Sequence, residues 1–333
     1  MCTRPSHVSV SAWLAECHRP ALLSHQRPDG DSLGAMLALK LLLAQRGIEP
    51  RPLLFDPVPQ RYACLADDLD ARLWDQATGD ELADCDSVII VDTCALAQLA
   101  PAADWLAQAP RTLVIDHHAT RDAIATRRGD LRVIDADASA TCLLIAEWAV
   151  DQRLEISPRT ATALFVGIAT DCGWFRFSNT DARTLRVSAE LIEAGAVPAE
   201  LYSALFERDK PARLRLIARM LGSLEIKANG RLAVMYLRQS DFAAAGADAQ
   251  MAADLVNEAA RLGDTEATLL FTEQADGSIR VNLRSKRCLD VAALAREFGG
   301  GGHARAAGAQ LTGDWDTAVT AVVRRTQELL EEL

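Results

Sequence analysis

Short apolar runs alternate with longer segments of helical periodicity along the first part of this 333-residue chain. Apolar runs of this kind are typical of buried parallel strands, and they predict strands at residues 21–24, 51–55, 87–91, 111–115 and 131–134. Helical periodicity predicts helices at residues 8–17, 32–45, 139–150 and 158–169. Strands that alternate with helices predict an α/β fold with a doubly wound, mostly parallel sheet.

The pattern changes after residue 222, where apolar strands come in pairs joined by tight turns. Asn229-Gly230 and Asp276-Gly277 each separate two apolar strands, and such dipeptides are strong hairpin signals. Further helices are predicted at residues 248–262, 290–298 and 316–330. We therefore predict an N-terminal α/β domain at residues 1–195, a helical linker at residues 196–222 and a smaller C-terminal α+β domain at residues 223–333.

Composition and charge narrow the class of protein. Hydrophobic residues make up 50% of the chain and charged residues 24%, which is typical of a globular protein with ample core for two domains. The formal net charge of −11 argues against a broad, non-specific grip on long DNA, because such binding needs a basic surface. A small anionic substrate held by a local cluster of arginines is compatible with this charge.

Cysteine usage and hydropathy bear on the cellular location. The eight cysteines are scattered without a CxxC pair, which suits reduced thiols better than disulfides or a zinc ribbon. The first residues lack the apolar segment of a signal peptide. The longest apolar stretch, residues 33–44, is too short to span a bilayer and contains Lys40. We expect a cytoplasmic protein without a membrane segment.

Titratable residues collect where predicted elements end: His25, Asp29 and Asp31 after the first strand, Asp92 after the third, Asp116, His117 and His118 after the fourth, and Asp171 after the apolar segment 163–169. Neighbouring parallel strands end at one crevice, so these side chains are expected to converge there. Like charges that close repel unless cations lie between them. Mixed carboxylate and imidazole ligation suits Mn²⁺ and, more weakly, Mg²⁺ or Fe²⁺. The number of candidate ligands is too large for one ordinary site and suits two ions about 3.5–4 Å apart. The alternative for a single aspartate is a helix cap, for example Asp31 before a helix that begins at Ser32.

Two further segments are candidates for substrate binding. The glycines at residues 299–302 precede His303, and Arg284 and Ser285 end the preceding predicted strand. Backbone amides in a glycine-rich turn can form a nest for phosphate, and arginine binds phosphate through paired hydrogen bonds. The alternative is an exposed loop with ordinary surface charges, which we favour for Lys286 and Arg287. The aromatic run at residues 174–177 could stack a nucleobase, although core packing is the more common role of such a run.

Five motifs, in order along the chain, carry a resemblance to a known family. HQRPDGDSLGA, VDT, DHH and GIATDCGWFRFSNT resemble the four motifs of the DHH phosphoesterase superfamily, and FGGGGHARAAG resembles the glycine-rich signature of the DHHA1 domain. The two-domain length is most similar to the branch of oligoribonucleases that also act as pAp phosphatases. Relatives in that branch are commonly dimers, so the resemblance also implies a homodimer.

The resemblance implies roles for individual residues. It divides the metal ligands into two groups that share a bridging aspartate: His25, Asp29 and Asp92 for one ion, and Asp31, Asp92, His117 and Asp171 for the other. Asp116 orients an imidazole, and His118 faces the substrate as a phosphate ligand or as the proton donor to the leaving oxygen. Substrate binding is assigned to Arg284, Ser285, Gly301, Gly302 and His303. One position departs from the family, because Arg121 stands where relatives often have asparagine.

The activity implied by the resemblance is that of a hydrolase with two divalent metal ions, Mn²⁺ above all. It would cut short RNA, from dinucleotides to pentanucleotides, to mononucleotides and convert 3′-phosphoadenosine 5′-phosphate (pAp) to AMP. Alternatives are a phosphodiesterase for linear or cyclic dinucleotides, a RecJ-like single-strand exonuclease, a manganese pyrophosphatase and a non-catalytic nucleotide-binding regulator. Phosphate release from pAp with added Mn²⁺ distinguishes the implied activity from these alternatives.

Overall fold

The chain folds into two compact units, Met1–Arg208 and Asp209–Leu333. The computed structural model describes residues 7–77, 79–119 and 122–333, apart from the side chain of His303. Arg121, which departs from the family pattern, therefore lies outside the described residues. The domain limits at residues 195 and 222 stay predictions.

A parallel sheet of six strands forms the centre of the first unit. Its strands are β1 (Pro20–Leu23), β2 (Arg51–Leu54), β3 (Arg72–Leu73), β4 (Ser87–Val91), β5 (Thr112–Asp116) and β6 (Leu131–Ile134). They lie in the order β3-β2-β1-β4-β5-β6, and every neighbouring pair is parallel. The doubly wound sheet predicted from the apolar runs is confirmed, whereas β3 is too short to leave a pattern in the sequence.

The strand order fixes where a ligand site can form. From β1 the chain runs outward to β2 and β3, and it then returns to β4 on the other side of β1. At such a reversal a crevice opens beyond the carboxyl ends of the strands. β4 and β5 are buried along their whole length, as expected of parallel strands covered on both faces.

The α-helices of the first unit are α1 (His7–Leu14), α2 (Gly30–Ala44), α3 (Ala63–Leu69), α4 (Gly79–Ala83), α5 (Ala103–Gln108), α6 (Thr141–Asp151), α7 (Pro158–Asp171), α8 (Ala182–Glu193) and α9 (Pro198–Phe206). α2 packs against α6 and α7, and its first ten residues are all buried. This burial explains why α2 is apolar around its circumference instead of along one stripe. It begins at Gly30, two residues before the predicted start, because Asp29 caps it.

The second unit contains a mixed sheet in the order β11-β12-β10-β9-β8-β7. Its strands are β7 (Glu225–Lys227), β8 (Leu232–Leu237), β9 (Ala267–Glu273), β10 (Ile279–Ser285), β11 (Gly301–His303) and β12 (Ala306–Leu311). Its helices are α10 (Pro211–Gly222), α11 (Gln239–Ala245), α12 (Val291–Glu297) and α13 (Trp315–Glu331). Both predicted hairpins form, since β7 pairs with β8 and β9 pairs with β10 in antiparallel orientation. β8 and β9 are parallel neighbours. The predicted smaller α+β fold is confirmed.

The prediction of a single helix at residues 248–262 is wrong. The segment forms two short 3₁₀ helices, Ala249–Ala252 and Leu255–Arg261. Asp254 lies between them with a φ of 63°, a left-handed conformation that interrupts a right-handed helix.

Two global features concern the described parts of the chain only. No helix there has the length and the apolar character needed to cross a membrane. The cysteines described there are all free: Cys17, Cys64, Cys85, Cys94, Cys142, Cys172 and Cys288.

Glu266 organises the turn between β10 and α12. One oxygen of its buried carboxylate, Oε1, accepts hydrogen bonds from the backbone amides of Arg287 (3.0 Å), Cys288 (2.6 Å) and Leu289 (3.1 Å). Burial raises the pKa of this carboxyl, but the three amides and the Arg287 guanidinium lower it by more, so its pKa lies below the ordinary value. The carboxylate thereby fixes the segment that follows Arg284 and Ser285.

We expect Glu266→Gln to lower the free energy of unfolding at neutral pH, because the amide oxygen binds the same donors without a charge. A carboxyl whose pKa falls on folding contributes stability above its unfolded-state pKa, near 4.5, and loses it as the pH falls through the lower folded value. Urea titrations of both proteins should therefore show a difference that shrinks in acid. A difference that is equal at neutral pH and well below pH 4.5 would contradict this account.

Candidate active site

The first site segment follows β1 and leads into α2. His25 Nε2 lies 3.4 Å from Asp92 Oδ2 and 3.8 Å from Asp29 Oδ1. Asp29 is the N-cap of α2, since its Oδ1 accepts hydrogen bonds from the amides of Asp31 (3.1 Å) and Ser32 (3.0 Å). His25 Nδ1 lies 2.8 Å from the carbonyl oxygen of Gln26. With its proton directed to that carbonyl, the ring keeps the Nε2 lone pair for the crevice.

Asp31 is buried in the first turn of α2, yet its carboxylate is held by another helix. Oδ2 accepts a hydrogen bond from the amide of Thr141 (2.6 Å), and Oδ1 accepts one from the amide of Cys142 (2.9 Å). These amides begin α6, where the helix dipole favours a negative charge. The cap of α2 is therefore Asp29 and not Asp31, whose carboxylate instead binds the first amides of α6.

Asp92 follows β4 and is shared between two histidines. It is 1% exposed, and its φ of 61° is a left-handed conformation that aspartate tolerates better than most residues. Its Oδ2 lies 3.4 Å from His25 Nε2, whereas its Oδ1 lies 3.6 Å from His117 Nε2. The two oxygens of one carboxylate thus face two different groups of side chains.

Asp116, the last residue of β5, organises the two histidines that follow it. Its Oδ1 accepts hydrogen bonds from the amides of His117 (2.8 Å) and His118 (3.1 Å) and lies 2.8 Å from His118 Nδ1. The hydrogen bond to Asp116 outweighs burial and raises the pKa of His118. The imidazole that Asp116 orients is therefore that of His118, whose side chain is 42% exposed.

His117 points into the crevice with a nitrogen that has no hydrogen-bond partner. Its Nδ1 lies 3.2 Å from the carbonyl oxygen of Ala138, and its Nε2 is buried and unpaired. That Nε2 lies 3.9 Å from Asp31, 3.6 Å from Asp92 and 3.5 Å from Asp171. A histidine that donates through one nitrogen to a carbonyl and leaves the other free among carboxylates has the arrangement of a metal ligand.

The charges of the site fit a bound cation. Burial, together with Asp31 and Asp29, raises the pKa of Asp171 to about 8, although His118 opposes the shift. Burial and the same neighbouring carboxylates raise the pKa of Asp92 well above its ordinary value. Three overlapping groups have ligand atoms close enough to hold an ion: His25, Asp29 and Asp92; Asp31, His117 and Asp171; and Asp92, His117 and His118. The residues present therefore fit divalent metal ions.

The structure brings all eight predicted residues of the first unit together and adds one that the sequence did not reveal. Thr141 Oγ1 donates a hydrogen bond to Asp92 Oδ1 at 3.1 Å, and Thr141 is fully buried. A weak signal does exist, since Ala140 precedes α6 and provides no side-chain cap. The helix therefore needs an acceptor from elsewhere in the chain.

The aromatic run at residues 174–177 divides between core and surface. Trp174 and Phe175 each pack against Phe165, with ring centroids 6.0 and 5.8 Å apart. Phe177 is 56% exposed. Core packing, which the sequence favoured, thus holds for the first two aromatic residues.

In the second unit, Arg284 and Ser285 end β10, as predicted. The Arg284 guanidinium donates to Asn257 Oδ1 (3.0 Å) and to the carbonyl of Leu283 (3.1 Å), and burial lowers its pKa. Both hydrogen-bond acceptors are neutral, and the nearby Asp254 carboxylate opposes the effect of burial on this pKa. Ser285 Oγ donates to the carbonyl of Leu289 at 2.6 Å and accepts a hydrogen bond from the Arg305 guanidinium at 3.4 Å.

The glycine-rich segment is divided between the predicted turn and a strand: Phe298 and Gly299 form a turn after α12, with Gly299 at a φ of 74°, and a strand follows. Gly301, Gly302 and His303 form β11 and pair with Gly308, Ala307 and Ala306 of β12. A Cβ on Gly302 would lie 2.5 Å from the Ala306 oxygen, and its φ is 141°, so glycine is needed for the close approach of the two strands. Gly301 faces open space. The side chain of His303 lies outside the described residues.

Comparison with known proteins agrees with both units. The model for the DHH family, N-terminal domain, matches residues 21–168, and the model for the DHHA1 domain matches residues 229–332. The chain is similar to the bifunctional oligoribonuclease and PAP phosphatase NrnA of Thermus thermophilus, with 30% identity over 93% of this chain and 89% of that protein. The NrnA of Bacillus subtilis is 28% identical over 88% of this chain and 89% of its own length. Among solved structures, an exopolyphosphatase-related protein from Bacteroides fragilis has the same fold, with a TM-score of 0.90 at 21% identity over 99% of both chains.

We expect His117→Ala and His118→Ala to differ in metal binding although the residues are adjacent. His117 offers a buried, unpaired Nε2 to the carboxylates, whereas His118 is tied to Asp116 through Nδ1. Calorimetric titration with Mn²⁺ should show a lost or weakened site for His117→Ala and near wild-type binding for His118→Ala. Equal losses in both variants would make His118 a ligand and disprove this division.

Proposed function

This chain belongs to the DHH family and carries a DHHA1 domain, and on that basis we propose that it hydrolyses phosphoester bonds in short RNA and in pAp. Two relatives named bifunctional oligoribonuclease and PAP phosphatase have 89% of their length covered by this chain. The substrates are dinucleotides to pentanucleotides of RNA and 3′,5′-bisphosphate nucleosides, and the products are mononucleotides.

The observation that carries this proposal is the division of Asp92 between two groups of ligands. One oxygen faces His25 and the other faces His117. A carboxylate shared in this way suits a pair of divalent ions, with Asp29 completing one group and Asp31 and Asp171 the other. Their oxygen and imidazole donors favour Mn²⁺, with Mg²⁺ as a substitute. When bound, such ions supply Lewis acidity, which neutralises phosphoryl oxygens and lowers the pKa of the attacking water.

We propose that His118 acts on the leaving group of the reaction. Asp116 holds its Nδ1 at 2.8 Å, so Nε2 is the nitrogen free to bind a phosphoryl oxygen or to donate a proton to the leaving oxygen. Its 42% exposed side chain is accessible to a substrate. A general acid typically contributes roughly 10²–10⁴-fold in rate.

The DHHA1 domain binds a second phosphate of the substrate in this proposal. Arg284 is a half-buried cation with neutral hydrogen-bond partners, and arginine suits bidentate binding of phosphate. Gly301, in open space on β11, allows a ligand to approach the backbone. Ser285 and His303 complete the proposed set. A substrate with two phosphates, such as pAp or a short oligonucleotide, meets both requirements.

Hydrolysis of a substrate panel tests the proposed function. With Mn²⁺, the protein should release phosphate from pAp and mononucleotides from short RNA, and a chelator should abolish both reactions. Activity should fall as RNA lengthens, because a chain of net charge −11 has no general affinity for a long phosphate backbone. Turnover confined to cyclic dinucleotides, pyrophosphate or long single-stranded DNA would contradict the proposal.

We expect Arg284→Ala to raise the KM for pAp roughly 10- to 100-fold, since a charge-assisted hydrogen bond is worth about 1.5–3 kcal/mol. Hydrolysis of bis-p-nitrophenyl phosphate, which has a single phosphate, should hardly change. Arg324→Ala is the matched control, because that arginine side chain is 77% exposed on α13. Equal losses on both substrates would mean that Arg284 supports the fold or the metal site instead of a second phosphate.

A further inference from the structure

The start of α6 lies against both groups of proposed metal ligands. The amides of Thr141 and Cys142 donate to the two oxygens of Asp31, which belongs to one group. The hydroxyl of Thr141 donates to Asp92 Oδ1 at 3.1 Å, and Asp92 belongs to both groups. A single buried residue thus contacts two of the carboxylates through two different donors.

The hydrogen bond from Thr141 determines how the Asp92 carboxylate is turned. The terminal torsion of an aspartate side chain is broad, so its plane rotates easily unless a partner fixes it. Thr141 binds Oδ1, the oxygen that lies 3.6 Å from His117 Nε2. With Oδ1 held there, Oδ2 is left facing His25 Nε2 at 3.4 Å.

We propose that Thr141 is a positioning residue whose hydroxyl sets the bridging orientation of Asp92, an inference that rests on the two-metal centre proposed above. Its backbone amide fixes Asp31 independently of the side chain. Loss of the hydroxyl alone should therefore disturb the shared ligand while leaving Asp31 held by α6. Bound Mn²⁺ is the quantity that responds directly.

Calorimetric titration with Mn²⁺ of the full-length wild type, Thr141→Val and Thr141→Ser tests this role. Valine keeps the shape of threonine and the amide that binds Asp31, whereas serine keeps the hydroxyl. Thr141→Val should bind Mn²⁺ about 10- to 100-fold more weakly, the usual effect of losing a group that orients a metal ligand, and Thr141→Ser should restore the affinity. Thr326→Val is the matched control, because Thr326 is equally buried and its hydroxyl donates to the Val322 carbonyl within α13.

Electron paramagnetic resonance provides a second readout, since two Mn²⁺ ions that share a ligand give a coupled spectrum. That spectrum should be lost in Thr141→Val at Mn²⁺ concentrations that load the wild type, and return in Thr141→Ser. If thermal melting shows that Thr141→Val is unfolded, Thr141→Ala takes its place with the same expected weakening.

The outcomes separate this inference from the proposed function. If the wild type binds two ions and Thr141→Val binds them equally well, the role of Thr141 is overturned and the two-metal centre is not. Weakening in Thr141→Ser equal to that in Thr141→Val would also overturn it, because a retained hydroxyl would then fail to preserve Mn²⁺ binding. A wild type that binds fewer than two ions would overturn the two-metal centre and this inference with it.

Discussion

The crowding of carboxylates at the ends of β1 and β4 is the constraint on which the rest of the first unit depends. Asp29, Asp31, Asp92 and Asp171 meet in one crevice, where Asp31 and Asp92 are buried, and burial with mutual repulsion raises the pKa of Asp92 and Asp171. Such a cluster is costly to ionise unless each carboxylate has donors or a cation nearby. The protein supplies donors from two helix starts, with α2 binding Asp29 and α6 binding Asp31.

The fold makes this arrangement possible because its central strands end side by side. β1, β4 and β5 are neighbours in the sheet, so His25, Asp92 and His117 approach one another although long segments separate them in sequence. Asp171, the last residue of α7, joins them. His117 Nε2 is buried there without a hydrogen-bond partner, and its lone pair is available to a metal ion.

The sequence predicts the elements of this site better than the contacts between them. The apolar runs locate β4 and the motifs locate every candidate ligand, because both signals are local. Thr141 escapes prediction, since its partner Asp92 lies far away in sequence and a threonine at a helix start usually has a local role. The strand at Gly301–His303 and the break at Asp254 escape for a related reason: tertiary pairing and one left-handed residue override the local pattern.

The proposed centre requires that two metal ions share Asp92. Anomalous scattering at the manganese edge, from crystals grown with Mn²⁺, locates such ions. We expect two anomalous peaks about 3.5–4 Å apart, one on each side of the Asp92 carboxylate. A single peak, or two peaks of which neither contacts Asp92, would contradict it.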